Sequence, residues 1–148
     1  MPVVVVANPE GGVGKSTIST HVAGYFASQR HAVMLGDADR QQSSRLWLGL
    51  RPTAARPIQA WDIGPDLIAK PPKGTTHVVL DTPGGIHGFE LARIVMFADA
   101  IVMPVCHSVF DRESAAACHA ELVALPRVAS GRCRLATVGM RIDARTNA

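Results

Sequence analysis

The stretch Asn8-Pro9-Glu10-Gly11-Gly12-Val13-Gly14-Lys15-Ser16-Thr17 follows an apolar run, Val3 to Ala7, and its residue types are those that cradle phosphate. Glycines let successive backbone N–H groups turn inward around phosphate oxygens, a lysine adds a mobile positive charge, and a serine hydroxyl can ligate the magnesium that travels with a nucleotide. A helix starting near Lys15 aims the positive end of its dipole at the same charge. The expectation is a nucleoside triphosphate bound by Gly11, Gly12, Val13, Gly14, Lys15, Ser16 and Thr17.

Phosphate chemistry in such a cradle also needs carboxylates that hold the magnesium shell and orient an attacking water, placed at the carboxyl ends of neighbouring strands. Two segments qualify. Leu35-Gly36-Asp37-Ala38-Asp39 closes one apolar run, and Val78-Val79-Leu80-Asp81-Thr82-Pro83-Gly84-Gly85 closes another. Asp81 after three aliphatic residues is a Walker B arrangement, whose carboxylate meets magnesium through a water or through the loop serine.

The elements that must position these groups are legible as a rhythm. Strand-like runs recur at Val3–Ala7, Ala32–Gly36, His77–Leu80, Ala100–Val105 and Leu135–Met140, separated by stretches long enough for crossover helices. This predicts an α/β fold of three layers, a mostly parallel sheet flanked by helices on both faces. Helices are expected from Lys15 to about Gln29, with Ile18, Val22 and Tyr25/Phe26 as a core-facing stripe, from Glu90 to Phe97, and from Arg112 to Leu125. Arg51 to Lys73 is proline-rich and predicts loops with a short strand around Ile58–Ile63. Trp47 and Trp61 are expected as buried anchors under a loop.

The 148 residues, 47% hydrophobic and 18% charged, fit one domain, expected to span 1–148. No apolar run is long enough to span a membrane and the start lacks a basic signal region, so a cytoplasmic protein with no membrane partner is expected. Cys106, Cys118 and Cys133 form no CxxC pair and are expected as buried thiols; the six histidines show no metal-binding spacing and are expected in packing or surface roles. A net charge of +3 with pI about 9.1 is compatible with a nucleic-acid partner, and the segment after Ala120 carries it: Arg127, Arg132, Arg134, Arg141 and Arg145 against Glu121 and Asp143.

Four blocks together resemble the ParA/MinD group of deviant Walker A P-loop ATPases, and within it the ParA-type partition ATPases. Gly11-Gly12-Val13-Gly14-Lys15-Ser16-Thr17 matches the group's loop, and Asp37-Ala38-Asp39-Arg40-Gln41 resembles its Asp-x-Asp-Pro-Gln switch element. Asp81-Thr82-Pro83-Gly84 resembles its Walker B and second switch, and Ala98-Asp99 through Pro104 to Asp111 is similar to a further strand and loop. Pro9 stands where an ordinary Walker A loop has its first glycine, which makes the match specific to this group.

The resemblance implies an ATP-driven switch in plasmid or chromosome partition or cargo positioning. Two subunits sandwich two ATP molecules, bind DNA nonspecifically on the nucleoid, and are released when a ParB-like partner stimulates hydrolysis to ADP. Carried over by position, Lys15 contacts the β and γ phosphates, Ser16 magnesium, and Thr17 the α phosphate side. Asp39 takes the attacking water, and Asp37 and Asp81 surround the metal.

Two departures qualify that reading. The group's hallmark lysine, which reaches across the dimer, is replaced by Glu10, and a carboxylate 4 Å from a phosphate charge is repelled by about 4 kcal/mol at an effective dielectric of 20. Dimerisation and hydrolysis are therefore expected to be weak. Relatives in the group also continue through further helices after the strand that Leu135–Met140 resembles, so the C-terminal part of the family fold is expected to be missing. The alternatives on the same fold are a MinD-like membrane-positioning ATPase, which should end in a basic amphipathic helix, and a hydrolysis-deficient nucleotide-binding scaffold.

Overall fold

The structure, a computed structural model, describes residues 2–8, 14–38, 41–61 and 73–141. The β-branched run Val3–Val6 forms β1, and α1 (Lys15–Ser28) leads to β2 (Val33–Asp37). Next come α2 (Ser43–Leu50), β3 (Ile58–Trp61) and β4 (His77–Asp81). The chain then runs through α3 (Gly88–Val95), β5 (Ala100–Val105), α4 (Val109–Val123), a single helical turn α5 (Pro126–Ala129), and β6 (Arg134–Gly139).

The strands pair in the order β3-β2-β4-β1-β5-β6, and every ladder is parallel. The chain steps from β1 toward β2 and β3, then returns through β4 and moves the other way to β5 and β6. Right-handed crossovers in opposite directions place their helices on opposite faces. One face carries α1, whose Ala23 and Ala27 pack on Val6, Val33, Leu35 and Val79, with Trp47 and Leu48 of α2 closing the same cluster. The other buries Leu91, Ile94 and Val95 of α3 and Ala115, Cys118 and Leu122 of α4 against Val5, Leu80, Ile101 and Met103. The three-layer expectation holds. The reversal of direction beside β1 and β4 leaves a crevice at the carboxyl ends of these strands, where an open parallel sheet binds its ligands.

Several details differ from the sequence reading. The α1 stripe holds for Ile18, Val22 and Phe26, which pack on the sheet, but Tyr25 is 62% exposed. One residue's rotation, about 100°, separates it from Phe26, and the small residues Ser19, Ala23 and Ala27 take the closest approach to the strands. α2 was not anticipated: its apolar signal is two residues, Trp47 and Leu48, with Leu46 and Leu50 left exposed. Trp47 is half-buried on this helix rather than under a loop, with the Arg51 guanidinium 4.9 Å from its ring centre, and Trp61 is half-buried on the edge strand β3. The predicted continuation of β3 to Ile63 lies outside the described residues.

All three cysteines are buried, and none forms a disulfide. Burial, with Glu121 nearby, pushes the Cys118 thiol up to about 11. Cys118 should therefore resist iodoacetamide at pH 8 in the folded protein and react at the rate of a free thiol in 6 M guanidinium, a contrast readable by mass spectrometry. His31 and His77 stack at 3.8 Å between ring centres near the amino ends of β2 and β4, opposite the crevice, a packing or surface role as expected.

Candidate functional site

Three chain segments converge on the crevice. β1 delivers Asn8; β2 ends at Asp37; β4 ends at Asp81. In the β2–β4 ladder Asp37 and Asp81 are direct partners, so two carboxylates emerge side by side. Parallel register alone does this, since both apolar runs terminate in aspartate at the same level.

Gly14 adopts a left-handed conformation (φ 97°), and a side chain here would meet the tip of Met140. From this turn α1 starts with no capping side chain and no acidic residue in its first turn. Such an N-terminus keeps its positive dipole end for an external anion. Lys15, the first helical residue, is 5% exposed, an unusual burial for lysine that places its charge within the crevice wall.

Asp81 is fully buried. Its Oδ2 accepts a hydrogen bond from the Ser16 hydroxyl at 2.8 Å and a second from the Ser44 hydroxyl at 2.7 Å. Among the described residues its Oδ1 has no hydrogen-bond partner, although it too is buried. Burial pushes the carboxyl above its ordinary range; the Ser44 and Ser16 hydroxyls oppose this, the Asp37 charge adds to it, and Lys15 opposes it. A buried, half-satisfied carboxylate is costly unless something else completes its shell.

Asp37 is committed partly to structure. Its carboxylate accepts the Arg45 backbone N–H at 3.0 Å, capping α2 from a distance, while its carbonyl accepts from the Gln42 side chain at 2.9 Å. The ends of the strands are locked together by the Thr82 hydroxyl donating to the Val6 carbonyl at 2.7 Å, the Ala38 N–H donating to the Asp81 carbonyl at 2.9 Å, and the Asn8 amide donating to the Pro104 carbonyl.

The structure thus brings together Gly14, Lys15, Ser16, Asp37 and Asp81, and Thr17 follows on the first turn of α1. Glu10, Gly11, Gly12, Val13 and Asp39 lie outside the described residues. Ser44 was missed; its signal is its place seven residues after Asp37, which a helix starting at Ser43 turns back toward the crevice. Within the basic C-terminal segment the Arg127 guanidinium donates to the Ala98 carbonyl and lies 3.7 Å from Asp99, while Arg132, Arg134 and Arg141 are exposed.

No group of three or more His, Cys, Asp or Glu side chains able to hold a metal by themselves occurs among the described residues. The donors at the crevice are nevertheless hydroxyl and carboxylate oxygens, with one buried oxygen unclaimed. That set fits magnesium, which binds through one or two protein oxygens plus phosphates and waters rather than in an all-protein cage.

A family model described as the CobQ/CobB/MinD/ParA nucleotide-binding domain matches residues 4–141, nearly the whole chain. The chain belongs to this family. Among curated relatives of the CobQ/CobB/MinD/ParA family, it is 38% identical over 105 residues to the maintenance of carboxysome distribution protein A of Gloeobacter kilaueensis. The match takes in 69% of this chain and 48% of that protein, so the chain spans about half the length of the relative.

Solved structures share the fold. Cobyrinic acid a,c-diamide synthase from Mycobacterium smegmatis, solved with bound ADP and magnesium, superposes with a TM-score of 0.76 at 16% identity, over 99% of this chain and 77% of the synthase. A plasmid partition protein from Borrelia burgdorferi gives 0.72 at 15% identity, over 98% and 80%. Among the described residues no helix is long and apolar enough to cross a membrane.

Proposed function

We propose that the chain binds ATP with magnesium in the crevice and works as a ParA-type nucleotide switch that positions a large cargo. The observation that carries this reading is Asp81: a buried carboxylate tied to the Ser16 hydroxyl at the mouth of an uncapped helix, with one oxygen left over. The 38% identity to a carboxysome distribution protein favours cargo positioning over other activities hosted by the family.

In this reading the amides from Gly11 to Thr17 and the Lys15 ammonium hold the phosphates. Ser16 binds the metal directly, and Asp37 and Asp81 hold its shell. Held there, magnesium would supply charge neutralisation for the phosphate oxygens. Asp39 orients the attacking water, and the protein's contribution is positioning and charge stabilisation with little covalent chemistry. ADP is the product that resets the switch. The partners are a second copy of the chain across the nucleotides, DNA held nonspecifically, and a ParB-like protein that stimulates hydrolysis.

Titration with a fluorescent ATP analogue in magnesium tests the reading. Saturable binding supports it, and absence of any saturable signal overturns it. Turnover per chain should rise with protein concentration, as a dimer enzyme requires; binding with no turnover at any concentration favours the hydrolysis-deficient scaffold, which the reversed charge of Glu10 makes a specific second reading. Glu10→Lys restores attraction for a phosphate in place of repulsion. It is expected to raise both the ATP-dependent dimer fraction in light scattering and the turnover rate by tenfold or more, roughly 1.4 kcal/mol of the estimated repulsion.

A further inference from the structure

Two serines hold Asp81, and Ser44 does not belong to the phosphate loop. It is the second residue of α2, is fully buried, and donates to the same Oδ2 that accepts from Ser16. A carboxylate turns easily about its last torsion, so a single donor leaves its two oxygens interchangeable. Two donors from different helices do not. Ser44 is itself fixed, because the first turn of α2 is tied to the end of β2 through the Arg45 N–H on the Asp37 carboxylate and the Gln42 side chain on the Asp37 carbonyl.

The chemistry of the Ser16 hydroxyl gives this arrangement a purpose. When its oxygen lends a lone pair to a divalent cation, its proton becomes more acidic and needs a fixed acceptor. Asp81 Oδ2 is that acceptor at 2.8 Å, and Oδ1 remains unclaimed.

Building on the magnesium-nucleotide reading above, we infer that Ser44 is a positioning residue for the metal. It locks the Asp81 carboxylate so that Oδ2 accepts the hydrogen bond of the Ser16 hydroxyl and Oδ1 is kept for a water of the cation's shell. It also makes the start of α2 part of the metal's surroundings, although no atom of α2 need touch the ion.

The test measures the affinity of mant-ADP with magnesium and with EDTA for the full chain and for Ser44→Ala, Ser44→Cys and Ser44→Thr. Outer partners of metal ligands are typically worth 10- to 100-fold in metal affinity. The expected result is that Ser44→Ala lowers the enhancement by magnesium at least about tenfold while affinity in EDTA stays within about twofold, and that Ser44→Thr, which keeps the hydroxyl, recovers most of it. Should Ser44→Ala not fold, Ser44→Cys, near serine in shape and a weak donor, carries the same expectation. An unchanged enhancement in a folded variant, or an equal loss with and without magnesium as mere packing would give, overturns the role of Ser44 and leaves the nucleotide reading standing. A parent chain that binds no mant-ADP overturns both.

Discussion

Lys15→Ala is expected to weaken ATP binding by about 30-fold or more, the range of 2–5 kcal/mol that follows when one partner of a buried charge pair is removed. The reason is placement. Lys15 is 5% exposed at the start of a helix with no capping side chain, so in the proposed reading its ammonium and the helix dipole act on one anion from one side. Lys15→Arg keeps the charge but not the compact shape and should recover only part of the affinity, since a planar fork does not fit a cradle built around a point charge. Isothermal titration with ATP and magnesium reads both. Affinity within threefold of the parent for Lys15→Ala would place the phosphates elsewhere.

Asp81→Asn should act in opposite directions on stability and on binding. In the nucleotide-free protein the substitution removes a buried negative charge that has only two serine hydroxyls as hydrogen-bond partners. It is expected to raise stability at pH 7 by about 1 kcal/mol, a shift of roughly 2–4 °C in Tm for a chain of this size. In the proposed reading the same substitution removes a carboxylate from the metal's surroundings and should cut the enhancement of nucleotide affinity by magnesium at least about tenfold.

The pH dependence has a definite sign. Burial, the largest cause, raises the carboxyl above its ordinary value of 3.8 in the folded state, so folding takes up a proton between that value and the raised one. Stability of the nucleotide-free parent therefore falls as pH rises through this window and is flat with respect to this group above it, and the Asn variant lacks the slope. On acidification through the same window a proton competes with the cation, and magnesium affinity falls. Thermal melts from pH 4 to pH 8, with and without magnesium, check both signs; a parent and variant with identical pH profiles would mean that Asp81 is not the strained group.

Much of the fold was legible because parallel sheets bury both faces. Val3–Val6, Val78–Leu80 and Ile101–Val105 are continuous apolar runs that no solvent-facing element would carry, and all three are strands in the interior of the sheet. The weak elements are the amphipathic ones. α2 offers only Trp47 and Leu48 to the core, and its N-cap Gln42 is left-handed and makes no side-chain cap, the capping carboxylate coming from Asp37 on β2, so neither periodicity nor a start signal marks it. Tyr25 shows the complementary error, since adjacent aromatics on a helix cannot share one face and the sequence does not say which one turns inward.

The candidate site divides along the same line. Gly14, Lys15, Ser16 and the aspartates that end two apolar runs were legible from local order, because the end of a strand and the start of a helix are marked by consecutive residues. What only the tertiary structure decided is which oxygen meets which donor. The register that sets Asp37 beside Asp81, the turn of α2 that returns Ser44 to the same carboxylate oxygen as Ser16, and the burial that leaves Oδ1 without a partner each depend on residues 37 to 65 positions apart in the chain. No local pattern encodes such distances; packing of α1 and α2 on a common sheet face creates them.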